Sequence, residues 1–179
     1  MIHEMEDIFE RANKDFLKNN AILFTQGVSE RTLCGSLMLE LNNVLKKTRY
    51  WRYFVDVEYN RNKGGKLKTI INSSQNIVKI NCYLIVHSRG MNIEQDNLIA
   101  IEMKKSHRPK KEKESDKERL MCLTKDSFDD VWSFDGKSMP EHVCRYILGI
   151  YYEINYNKKN IKLEYYSKGK KYKEEIISL

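Results

Sequence analysis

The sequence predicts an α/β protein in which a mixed central β-sheet is flanked by helices. Two stretches near the N-terminus repeat apolar residues at helical spacing. Three later segments alternate as strands do, joined as a meander. A charged helical stretch then precedes a tyrosine-rich set of further strands, and can act as a crossover to a parallel partner. With 179 residues, 41% of them hydrophobic, the chain suits a single domain over 1–179.

The elements follow in order. Residues 3–19 place Ile8, Phe9, Ala12, Phe16 and Leu17 on one helical face. "NNAILFTQGVSE" reads as a short apolar stretch and a turn. A second helix begins near Ser29, a good N-cap, with Leu33, Leu37, Leu41, Val44 and Leu45 as its buried stripe. "KKTRY" supplies basic residues to its last turn, as the helix dipole favours. Residues 51–60 alternate as a strand, and "NRNKGGKLK" is a polar, basic loop.

Further strands are expected at 77–87 and 97–104, joined by the turn "SRGMNIEQD". Pro109 breaks regular structure, and Ser115 can cap a helix running to Leu123. Strands at 146–156, "IKLEYYS" and "KYKEEIIS" close the chain. The order is therefore helix, helix, three strands, helix and further strands.

Composition narrows the function classes. No apolar run reaches the ~18 residues a membrane span needs, so no membrane partner is expected. The N-terminus is acidic and amphipathic, unlike a signal peptide. Cys34, Cys82, Cys122 and Cys144 are widely spaced, which suits buried thiols in a reducing, cytoplasmic setting and argues against zinc. A net charge of +7 leans toward a polyanion such as nucleic acid, although a Lys- and Asn-rich composition alone would also produce it. There is no Gly-rich phosphate loop, serine nucleophile elbow or paired-His zinc motif.

The chemistry concentrates in "NLIAIEMKKS", residues 97–106. Side chains alternate along a strand, so Leu98, Ala100, Glu102 and Lys104 share one face while Ile99, Ile101 and Met103 share the other. A carboxylate there can hold a hard cation, and the lysine can steady a water or a phosphate. A strand end that has reached solvent would carry the same pair.

"SERTLCGSLMLEL", "FVDVEYNRN", "YLIVHSRG", "NLIAIEMKKS" and "SDKERLMCLT" occur in that order. Together they resemble the PD-(D/E)xK restriction-endonuclease-like superfamily, over roughly residues 25–155, and in particular small bacterial nuclease-like domains. The resemblance implies a restriction-endonuclease-like fold and cleavage of phosphodiester bonds in DNA with Mg²⁺ or Mn²⁺. It implies Glu102 as the acidic metal ligand, Lys104 as the motif lysine, and Glu30 as a further metal ligand and catalytic acid from the first core helix. A carboxylate in a helix's first turn is also favoured by the dipole alone. The Met103 carbonyl would be a further ligand in such sites, and nuclease-like domains that cut both strands are often homodimers.

One position departs. Cys82 and Tyr83 stand where the family has Pro-Asp, and a neutral phenol with a pKa of ~10 is a poor Mg²⁺ ligand. Either another acid replaces it (Glu30, Asp56, Glu58, Glu94 or Asp96), or the domain binds nucleic acid or protein without cutting. Lys104, Lys105, Arg108, Lys110 and Lys111 are the expected phosphate contacts, together with Lys113. The acids interleaved beyond them, Asp116 included, read as a solvated helix face. His87 is either a ligand or acid–base group, or a hydrogen-bonded strand-end histidine. The C-terminal tyrosines either stack bases, fill a half-buried sheet or form a dimer interface.

Overall fold

The alternating and helical segments assemble into helices packed on a six-stranded mixed sheet. The computed structural model describes residues 1–57, 69–71, 77–79, 84–126 and 144–179. The helices are α1 (Ile2–Asn19), α2 (Ala21–Gln26), α3 (Glu30–Leu45) and α4 (Lys110–Leu123). The strands are β1 (Phe54–Val57), β2 (Thr69–Ile71), β3 (Ile77–Lys79), β4 (Leu84–His87), β5 (Asn97–Lys105), β6 (Leu148–Asn155), β7 (Asn160–Ser167) and β8 (Lys170–Ser178).

The main sheet has the order β1-β4-β5-β6-β7-β8, while β2 and β3 form a separate antiparallel pair. β1, β4 and β5 are antiparallel neighbours, the expected meander. α4 lies between β5 and β6 in the chain, and those two strands run parallel, with Glu102 opposite Tyr151 and Lys104 opposite Glu153. β7 and β8 continue as an antiparallel ribbon.

The two faces of the sheet differ in chemistry. On one, α1 buries Met5, Ile8, Phe9, Ala12 and Phe16, and α3 buries Leu33, Leu37, Leu41, Val44 and Leu45. They pack in one cluster with Ile99, Ile101 and Met103 of β5, Ile150 and Tyr152 of β6, and Leu163 and Tyr165 of β7. The other face carries a smaller apolar group: Ile85, Ala100, Tyr151 and Tyr166 against Leu120, Cys122 and Leu123 of α4 and Tyr146. Space is tight at Gly149 beside the end of α4, where an added Cβ would lie 3.0 Å from Thr124 Cγ2, 3.2 Å from Tyr166 Cβ and 3.4 Å from Leu120 Cδ2.

Several boundaries differ from expectation. Residues 21–26 form the short helix α2, ended by Gly27 at φ 62°. α3 starts as expected, with Ser29 Oγ accepting from the Thr32 amide at 3.1 Å, but it ends at Leu45, so the lysines of "KKTRY" lie beyond its last turn. Trp51 and Arg52 continue the turn after α3, leaving β1 only four residues within the described part. The stretch 77–87 contributes to two sheets, β3 to one and β4 to the other. Pro109 is the N-cap of α4, and Ser115 lies inside the helix. Proline suits a helix start because the first amides have no intrahelical partner. Leu98 joins the α1/α3 cluster and not the face of Glu102. No helix is long and apolar enough to cross a membrane among the described residues.

Candidate active site between the sheet and α4

β5 runs through the middle of the sheet and carries Glu102 and Lys104 toward α4. Asp116 and Arg119 are three residues apart on α4, hence on neighbouring positions of one helix face. The four side chains meet. Arg119 Nη1 donates a short hydrogen bond to Glu102 Oε1, and also donates to Asp116 Oδ1 at 3.0 Å. Lys104 Nζ lies 3.4 Å from Asp116 Oδ2. Glu102 is fully buried, and Lys104 and Asp116 nearly so.

The electrostatics are set by the loss of water. Burial pushes the Glu102 carboxyl up to about 7, against the pull of Arg119 and Lys104, with the neighbouring Asp116 charge adding to the rise. Burial also raises Asp116, despite Lys104 and Arg119. Glu102 Oε2 has no hydrogen-bond partner among the described residues, although a buried charged oxygen ordinarily has one.

The surrounding rows are also charged. Lys113 pairs with Glu153 at 3.2 Å, and the Tyr151 hydroxyl donates to Glu153 at 3.1 Å. Lys117 sits over the Tyr151 ring and pairs with Glu164 at 3.1 Å. Glu164 also takes Lys162 at 2.8 Å and the Tyr166 hydroxyl at 2.7 Å.

Glu30 occupies a different place. Its carboxylate accepts from the Lys105 amide at 2.9 Å and from Arg108 Nε and Nη2 at 3.1 and 3.0 Å. Burial would raise this carboxyl, but the Arg108 and Lys105 hydrogen bonds outweigh it and hold it below its ordinary value. Glu30 therefore ties the start of α3 to the end of β5. Lys104 still acts on it electrostatically. Its hydrogen bonds among the described residues go to Lys105 and Arg108, not to the Glu102 group.

The other candidates separate likewise. Asp56 accepts from Arg89 Nε at 2.8 Å and Nη2 at 2.5 Å, and lies 2.8 Å from His87 Nε2. His87 is thus a buried, hydrogen-bonded histidine at a strand end. Asp96 Oδ1 accepts from Ser88 Oγ at 2.6 Å and the Gly90 amide at 2.8 Å, which fixes the turn before β5. Glu94 is exposed. Glu58, Cys82 and Tyr83 lie outside the described residues.

Of the expected phosphate contacts, Lys104 is buried against Asp116, and Lys105 Nζ donates to the Gly27 carbonyl at 2.9 Å. Arg108 is half-exposed beside Glu30. Lys110 and Lys111 are exposed at the start of α4. Tyr146, Tyr151, Tyr152, Tyr165 and Tyr166 are core residues, with no face presented for stacking bases. Asp116 and Arg119 were the residues that sequence reading missed. Their stretch "SDKERLMCLT" was visible, but its interleaved charges have the signature of a solvated helix.

Among the described residues, no group of three or more His, Cys, Asp and Glu side chains is arranged to hold a metal ion. Comparisons with protein-family models, with curated proteins and with solved structures find no match for this chain.

Proposed function

We propose that this chain is a PD-(D/E)xK-type nuclease domain that hydrolyses phosphodiester bonds in DNA with Mg²⁺ or Mn²⁺. The observation that carries the reading is the burial of Glu102 and Lys104 side by side on a central strand, beneath α4. With the separate β2–β3 pair set aside, the order α3, β1, β4, β5, α4, β6 is compatible with the αβββαβ core that the resemblance implies. A nuclease site of this kind needs little else from its scaffold: a carboxylate for the ion, a cation for the phosphate, and exclusion of bulk water.

A bound divalent ion would supply a Lewis acid for the phosphoryl oxygen and acidify a water. Glu102 would hold it. Lys104, oriented by Asp116, would stabilise negative charge on the scissile phosphate. Lys110 and Lys111 would contact flanking phosphates, positioning the strand without reading its sequence. Attack by water at phosphorus breaks one P–O bond and leaves a phosphate end and a hydroxyl end.

The test is cleavage of linear and supercoiled DNA with Mg²⁺ or Mn²⁺. The wild type should cut and Glu102→Gln should not. No cutting by the wild type with either ion refutes the reading. One observation favours a second reading: Arg119 already pairs with both Glu102 and Asp116, and Lys104 pairs with Asp116. In that reading the domain binds nucleic acid or a protein without cutting, and cleavage gained by Tyr83→Asp would mark the tyrosine as the disabling change.

A further inference from the structure

We infer that Asp116 of α4 is the second carboxylate ligand of a divalent-cation site, and that Arg119 holds the ion's place until it binds. This deepens the nuclease reading and rests on it for the class of ion. The geometric basis is the convergence of two oxygens from different elements on one nitrogen. Glu102 Oε1 comes from β5 and Asp116 Oδ1 from α4, and both meet Arg119 Nη1, the latter at 3.0 Å.

Two carboxylate oxygens held on one cationic nitrogen can also be brought onto one ion. Moving to metal–oxygen distances of ~2.1 Å requires the two groups to close by only about 1 Å. Arg119 brings one positive charge to the two carboxylates and Lys104 a second to Asp116, whereas a divalent ion in the place of the guanidinium supplies two charges from one centre. Mg²⁺ is commonly held by one or two carboxylates, with waters and substrate phosphate completing the octahedron, so two protein ligands suffice.

A second, independent feature points to a ligand. Glu102 is wholly buried, yet its Oε2 lacks a hydrogen-bond partner among the described residues. An oxygen in that condition is costly unless something else completes it.

Lys104 fits the same arrangement. It lies 3.4 Å from Asp116 Oδ2, the oxygen that does not face Arg119. Asp116 can therefore bind an ion with one oxygen while keeping the lysine oriented with the other.

The experiment is direct Mn²⁺ titration of the full chain, followed by electron paramagnetic resonance without DNA. Arg119→Gln should bind Mn²⁺ at least tenfold more tightly than the wild type. Asp116→Asn and Glu102→Gln should each weaken binding at least tenfold. Unchanged affinity in Asp116→Asn overturns the inference, as does an Arg119→Gln protein that folds but binds no more tightly. If Arg119→Gln does not fold, the wild type against Asp116→Asn still decides. Cleavage is read separately. Mn²⁺ held through Asp116 without DNA cutting sinks the nuclease reading and leaves this inference standing. Full-rate cutting by Asp116→Asn, with Mn²⁺ affinity intact, sinks the inference alone.

Discussion

Replacing Glu102 by Gln removes one ionisable group from a fully buried position and keeps its size. The carboxyl's proton affinity rises on folding, from its ordinary 4.5 to about 7, because burial outweighs the pull of Arg119 and Lys104. A group whose folded pKa is raised binds its proton more tightly in the native state. Its contribution is therefore most favourable at low pH and is lost as pH rises from 4.5 through about 7. At ~1.4 kcal/mol per pH unit, the full effect is about 3 kcal/mol, of which about 2.5 kcal/mol falls between pH 5 and pH 8.

The assay is urea unfolding of wild type and Glu102→Gln at pH 5, 6, 7 and 8, with chelator present. The difference between the two proteins isolates this group from every other titration. The wild type should lose about 2.5 kcal/mol relative to the variant across that range. A difference that stays flat would mean Glu102 is not buried as described. A difference that moves the other way would mean that pairing with Arg119 outweighs desolvation.

Glu164 should behave oppositely. Burial would raise it, but hydrogen bonds from Lys162, Tyr166 and Lys117 outweigh this and hold it at about 2, so its stabilisation is present above 4.5 and lost as pH falls toward 2. The advantage of wild type over Glu164→Gln should shrink by up to ~3 kcal/mol between pH 5 and pH 2, read from urea midpoints; a constant advantage would refute the pairing. Gly149→Ala should cost about 1–3 kcal/mol, because its Cβ would meet Thr124 Cγ2 at 3.0 Å and Tyr166 Cβ at 3.2 Å. An unchanged denaturation midpoint would show that α4 is not seated this closely on β6.

Periodicity exposed the elements that bury an apolar stripe. α1 and α3 are legible because Ile8, Phe9, Ala12 and Phe16, or Leu33, Leu37 and Leu41, recur on one face and meet a wholly apolar sheet surface. β5 is legible almost to the residue for the same reason. Periodicity failed where local rules compete. α2 is too short for a pattern and is bounded by Asn20 and Gly27, both turn-favouring residues. The start of α4 was misplaced because proline was weighed as a breaker, when it sits where no amide is needed. The alternation through 77–87 cannot reveal that its two ends pair in different sheets, since period two reports a face and not a partner. Within the site, Glu102 and Lys104 were visible as a break in an apolar run. Asp116 was hidden because the surface it packs on is itself charged.

Buried ion pairs seldom stabilise a protein more than apolar packing of the same volume, so a charged layer between helix and sheet needs a reason. Glu102 and Glu164 lie in one row across the sheet, separated by Tyr151. Glu164 is met by Lys117, Lys162 and the Tyr166 hydroxyl, and its carboxyl is driven down to about 2. That is what a carboxylate looks like when its surroundings serve stability. Glu102 sits in the same layer with an arginine on one oxygen and no partner on the other among the described residues, and its carboxyl is driven up to about 7. The two acids of one layer therefore meet opposite surroundings. At Glu102 a buried carboxylate oxygen lacks a hydrogen-bond partner among the described residues, and that is the atom the proposed cation would complete.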